Sequence, residues 1–133
     1  MNSRILLILS LVGVIFFSSC SESALEDKLI GDWKQISVGQ SELKKFDVVW
    51  TFAANRELYQ TRTIDTTVLL IDTAQWSIEV NAFSKNTMTI ENLNNETDGK
   101  HNIMQLDSYL ELHRIELPNG HTEAFQWKEF EKK

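Results

Sequence analysis

The sequence predicts an all-β fold, an up-and-down antiparallel barrel or sandwich of roughly nine strands joined by short connections. Three observations predict it. From Trp33 onward no window keeps a helical period, while short runs alternate apolar and polar residues. Between those runs stand turn-forming stretches such as Asp65-Thr66, Asn94 to Gly99 and Pro118-Asn119-Gly120. Finally, Leu29-Ile30-Gly31-Asp32-Trp33 marks where a polar spacer gives way to strands: Gly31 permits a sharp entry and Trp33 supplies a large core anchor.

The chain has 133 residues and begins with a leader in which Arg4 is the only charge before an apolar run from Ile5 to Phe17. That run is short for a membrane span and suits a signal-peptide core, expected as a detached helix over roughly Arg4 to Ser18. Ser18-Ser19 and Cys20, the one cysteine in the chain, follow. They resemble the lipobox of bacterial lipoproteins, with Phe17 where that motif usually has Leu. The resemblance implies cleavage before Cys20, lipidation (palmitate) of that cysteine as the new N-terminus and a membrane held through the lipid. Three segments are expected: a signal peptide over 1–19, a lipidated tether over 20–28 and the folded domain over 29–133. Ser21 after the cysteine fits the sorting rule for the outer membrane, on its periplasmic or surface face. Ser21 to Lys28 reads as a tether ending in one helical turn, with Leu25 and Leu29 on one side.

Lys and Arg number 13 against 19 Asp and Glu, a net charge of -6. Losing the leader takes away Arg4 and no acid, which moves the side-chain balance to -7. Such a surface argues against nucleic acid and against electrostatic docking on anionic lipid. A single cysteine also leaves no intramolecular disulfide, so the core must hold the domain together.

In chain order, Phe46, Val48, Trp50 and Phe52 share one strand face, Ala53 to Arg56 turns, and Glu57 to Ile64 returns with Leu58 inward. Asp65-Thr66 turns into Thr67 to Ile71, apolar on both faces. Asp72-Thr73 is expected to turn again into a strand with Trp76, Ile78 and Val80 alternating. Asn81 to Asn86 is a loop with Phe83 at its tip, after which Met88 and Ile90 alternate. Beyond the Asn94–Gly99 loop, His101 to Leu106, Tyr109 to Leu117 and His121 to Phe130 complete the series. A four-residue loop Leu117–Gly120 would set Glu116 opposite His121, Arg114 opposite Glu123, Leu112 opposite Phe125 and Leu110 opposite Trp127. A three-residue loop slips every pair by one and turns the other face inward. Matching of charge and hydropathy favours the four-residue loop.

With Gly31-Asp32-Trp33 opening the first strand after a helical turn, the domain resembles a lipocalin, and most of all the short lipocalin-like bacterial lipoproteins. Their leader and mid-chain tryptophan strand have counterparts here in Cys20 and Gln75-Trp76-Ser77-Ile78. The resemblance implies an eight- to nine-stranded lipocalin-like barrel that Trp33 closes at one end, with Lys128 or Arg114 over the indole. Any ligand then enters from the other end.

No residue set points to catalysis. His101, His113 and His121 lack a tight metal-ligand spacing, and no nucleotide-binding glycine loop, nucleophile elbow or zinc-protease helix is present. Asp65 and Asp72 both stand where turns are expected. The reading is a non-enzyme with no cofactor and no metal. The inward candidates are Trp50, Phe52, Leu58, Leu70, Trp76, Ile78, Met88, Ile90, Leu110, Leu112, Phe125 and Trp127. An eight-stranded barrel is just wide enough to be filled by such groups or to hold one small ligand. Two functions follow. One is an envelope protein that binds a small hydrophobic ligand among those side chains. The other is a filled barrel acting as an interaction or inhibitor module through the Asn81–Asn86 or Asn94–Gly99 loop.

Overall fold

A computed structural model describes residues 21–36 and 47–133, side chains of residues 123–125 apart. The leader, Cys20, Phe46 and the side chains of Glu123 and Phe125 therefore lie outside the described residues. Strands β1 (Gly31–Gln35), β2 (Asp47–Phe52), β3 (Glu57–Ile64), β4 (Thr67–Glu79), β5 (Thr87–Glu91), β6 (Gly99–Leu106), β7 (Tyr109–Glu116) and β8 (Thr122–Lys132) form a closed barrel. Each strand is antiparallel to the next, and β8 returns to β1 through Trp33 opposite Lys132. The architecture is consistent with the calycin or lipocalin-like class.

Alternation builds this barrel. Val48, Trp50 and Phe52 on β2, Ala74, Trp76 and Ile78 on β4, and Met88 and Ile90 on β5 are all buried, while Gln75, Ser77 and Glu79 face water. The aromatic centre is tight: the Trp50 and Phe130 rings lie 4.6 Å apart, Phe52 and Trp76 5.6 Å. Strand β3 has the expected bounds, with Arg56 at φ 69° closing the turn before it and Asp65 at φ 52° the turn after it.

Eight strands form, the lower end of the expected eight to nine, because β4 runs unbroken for 13 residues. Asp72 and Thr73 pair with Gln60 and Tyr59 instead of turning. Their turn propensity is a local preference, and pairing along the whole of β3 outweighs it.

The last hairpin also departs from the expected register. Leu117 N–H donates to His121 O (2.8 Å) and Gly120 N–H to Leu117 O (2.9 Å), so three residues, not four, form the loop. Glu116 then faces Thr122, and a shift beyond it sets Arg114 opposite Gln126, Leu112 opposite Lys128 and Leu110 opposite Phe130. Phe130 fills the core, and Trp127 stands on the outer face, 56% exposed.

Residues 21–29 form a helix, α1, longer than the single turn expected. It packs against the barrel through Leu29, with Leu25 and Ile30 beside it, a contact in which a fully buried leucine stabilises by roughly 1.5–3 kcal/mol. Arg56 reaches Glu22 (3.5 Å) and Glu26 from the β2–β3 turn. Being partly exposed, these pairs orient the helix more than they hold it. Trp33 is wholly buried beneath α1, and its Nε1–H donates to Leu29 O (2.7 Å). The cation over its ring is Lys132, 5.1 Å from the centroid and donating to Lys28 O, rather than Lys128 or Arg114. Lysine 132 takes that place because β8 ends beside Trp33, whereas Arg114 lies toward the opposite end of the barrel.

Candidate functional site

The interior comes first, since most sequence-predicted site residues were placed there. Trp50, Leu58, Met88, Ile90, Leu110 and Leu112 are 0% exposed, and Phe52, Trp76 and Ile78 are also buried. Surface that no water molecule can touch borders neither an open cup nor a void large enough for water. At these positions the space is filled by neighbouring side chains. Leu70 and Trp127 do not join them: Leu70 lies on the projecting part of β4, 44% exposed, and the three-residue turn puts Trp127 outside.

Toward the end away from α1 the interior turns polar. Within the barrel stand Gln60, His101 and Arg114, all buried, with Lys128 half-buried. His101 Nε2 lies 2.7 Å from Thr97 O; a carbonyl only accepts, so Nε2 carries the proton. Burial pushes the His101 pKa down to about 4, with the cations of Lys128 and Arg114 acting in the same direction. Burial likewise lowers the Lys128 pKa, while the carboxylate of Glu96 counteracts it. Gln60 and Arg114 lie on the faces of Leu58 and of Leu110 and Leu112, where only apolar residues were counted as inward, and Lys128 lies on the face of β8 opposite the expected one.

A pH dependence follows from His101. As pH falls through about 6.5 the unfolded chain takes up a proton that the folded one refuses, so stability drops until about pH 4 and no further. The loss should be on the order of 3 kcal/mol. Urea denaturation at pH 7 and pH 4.5 will show it as a steeper fall for the wild type than for His101→Gln, which keeps the carboxylate titrations but not this one.

The two candidate contact loops differ. Asn94–Gly99 is tied down: the Asp98 carboxylate accepts from Leu93 N–H (2.7 Å) and Asn94 N–H (3.2 Å), and Arg114 Nη1 donates to Asn95 O (2.9 Å) and Asp98 O (3.2 Å). Thr97 within it is buried. The β4–β5 loop instead holds its apolar residue out. Asn81 N–H donates to Asn86 Oδ1 (3.0 Å), Asn81 Nδ2 to Lys85 O (2.9 Å), and Ile103 N–H to Asn86 O (2.9 Å), fixing both feet of the loop. At its tip Phe83 is 104% exposed.

The histidines stay apart. His113 lies 2.5 Å from Glu111 on the outer wall near Trp127, and His121 is exposed beside the last turn, with Thr122 rather than His121 opposite Glu116. Among the described residues no three His, Cys, Asp or Glu side chains are placed to hold a metal ion. Asp65 occupies the turn expected of it, while Asp72 sits within β4. No described helix is long and apolar enough to cross a membrane. No family model, curated protein or solved structure matches the chain.

Proposed function

We propose that this chain is a non-catalytic envelope protein, held to the outer membrane by acyl chains on Cys20, that binds another protein through the β4–β5 loop. The observation that carries this reading is Phe83. A phenylalanine side chain left in water forgoes about 1.5–3 kcal/mol of burial, and this one tops a loop whose feet are hydrogen-bonded in place. An apolar anchor entering a partner's pocket is the residue type and presentation that dominates small interfaces. The filled centre of the barrel supports the same choice. A small lipophile lodged among Trp50, Phe52, Leu58 and Phe130 would have to force apart rings 4.6 Å from each other.

A photo-crosslinking residue placed at Phe83 in cells carrying the full chain tests this. The expected result is one discrete adduct with an envelope protein, not seen when the label is moved to Asn119 at the far end. Phe83→Ala should abolish binding of that partner yet change stability by less than about 0.5 kcal/mol, as for an exposed site. Equal adduct patterns from both positions would refute the contact. A panel of saturating fatty acids and alkanes should leave the thermal midpoint where it is. A rise of several degrees would move the function into the barrel interior.

A further inference from the structure

The last two strands of the barrel sort their charges by face. On β7 and β8, Arg114 and Lys128 point inward with Leu110, Leu112 and Phe130. Lys132, on the same side of β8, lies over the Trp33 ring. Three acids go the other way: Glu111, Glu129 and Glu131 stand on the outer wall with Tyr109, His113 and Trp127. Among the described residues no lysine or arginine of either strand shares that wall. The flanking cations turn elsewhere, Lys34 of β1 to Asp47 (3.0 Å) and Lys100 of β6 to Glu79 (3.0 Å).

On this wall Glu111 lies directly opposite Glu129. Like charges facing each other across a strand pair destabilise a sheet, so folding gives no reason for the pairing. His113 lies 2.5 Å from Glu111, while Glu129 and Glu131 have no cation within ion-pair distance among the described residues. Apolar surface surrounds the acids. Trp127 is 56% and Tyr109 46% exposed, and Ile36, whose N–H donates to Glu129 O, is 37% exposed. Tyr109 and His113, which faces Trp127, are four residues apart on β7, so the wall runs about 13 Å along the strands.

We infer that this wall docks a short, extended, arginine-rich segment of another protein. Charge and shape together choose that occupant. A guanidinium stacks flat on an indole, keeps its charge and offers forked donors to a carboxylate beside the ring. Trp127 and Glu129, two residues apart on one face of β8, supply the ring and the carboxylate about 7 Å from each other. A second cation between Glu111 and Glu129 turns their repulsion into attraction. Tyr109 and Ile36 accept the aliphatic stems of such side chains. An acidic or wholly apolar partner would instead cover the facing carboxylates without compensating them. A bare metal ion fits less well, because among the described residues no three of these acids are placed to hold one. Since the wall is open to solvent, the contact is weak and sensitive to salt. Phe83, on the β4–β5 loop, takes no part in it.

Calorimetric titration of the full chain, in nonionic detergent, with the peptide Arg-Ser-Arg-Ser-Arg-Ser tests the wall. At low salt the peptide should bind at a single site, and Glu-Ser-Glu-Ser-Glu-Ser should not bind. Raising salt from about 0.01 M to about 1 M shortens the screening length from about 30 Å to about 3 Å and should weaken binding at least about tenfold. Trp127→Ala and Glu129→Gln should each weaken it about three- to fivefold, and the double variant at least about tenfold. Glu129→Gln should also hold or raise the thermal midpoint, because it removes one of two facing like charges. Asp65→Asn, which takes the same charge from the β3–β4 turn, should leave binding unchanged. So should Phe83→Ala, which separates this contact from the proposed loop contact. Absence of binding at low salt overturns the inference. Equal weakening by Asp65→Asn and Glu129→Gln overturns it too, since net charge alone would then be responsible. Saturable binding of magnesium chloride alone that Glu129→Gln abolishes would make the wall an ion site instead.

Discussion

Trp50→Ala is expected to destabilise the barrel by about 3–5 kcal/mol, a large part of the roughly 5–15 kcal/mol that holds a domain folded. Trp50 is wholly buried at the meeting point of β1, β2 and β3, opposite Trp33 on one side and Gln60 on the other. Its ring contacts those of Phe130 and Phe52, at 4.6 Å and 6.0 Å between centroids. Removing it deletes one of the two largest fully buried side chains and leaves a void that surrounding strands, hydrogen-bonded on both sides, cannot close. A urea midpoint measured against wild type gives the cost, with Trp50→Phe losing less because a ring still meets Phe130. A change under about 1 kcal/mol for Trp50→Ala would mean that the centre of the barrel is loosely packed.

Gly99→Ala should be nearly as damaging, for a backbone reason. Gly99 has φ +125°, and a Cβ there would stand 2.2 Å from Glu116 O and 3.2 Å from Glu116 C. Those atoms belong to the main chain of β7 and cannot swing aside as a side chain could. The strained backbone costs about 1–3 kcal/mol, and displacing the neighbouring strand adds about 1–3 kcal/mol more. Gly31→Ala supplies the control. Its φ is +127°, yet the nearest atom to its added Cβ is Lys132 Cε at 3.8 Å, so it should show the first cost without the second. Equal destabilisation of the two variants would remove the collision with Glu116 from the account.

How far the chain could be read in advance depended on whether a signal was local. Strand β3 and its two flanking turns were legible because alternation and turn chemistry agree over Ala53 to Thr66. Asp72-Thr73 misled because turn residues tolerate a strand when a partner pairs with them, and here Gln60 and Tyr59 do so. The last hairpin failed differently. Leu112 opposite Phe125 is a better pair by hydropathy than Leu112 opposite Lys128, yet the three-residue turn and the demand for Phe130 at the core dictate the latter. Arg114 was expected opposite Glu123 or over the Trp33 ring, since nothing local marks an arginine that will anchor the carbonyls of a loop 16 and 19 residues away. Of the candidate contacts, Phe83 could be identified from sequence because a lone aromatic in a polar loop has no core to join. The outer wall of β7 and β8 could not, since a four-residue turn would have put Trp127 and Glu129 on the inner face.

The outward turn of Trp127 has an optical consequence. The chain has four tryptophans; Trp33, Trp50 and Trp76 are buried in apolar surroundings, while Trp127 lies on the outer wall of β8, half in water. Emission should therefore separate into a blue component from the core and a redder one from β8. Iodide, which reaches only wetted indoles, should extinguish the second and spare the first. A titrant that dims the red light alone has adsorbed to the outside of the barrel, and only a change in the blue light reports on what happens within.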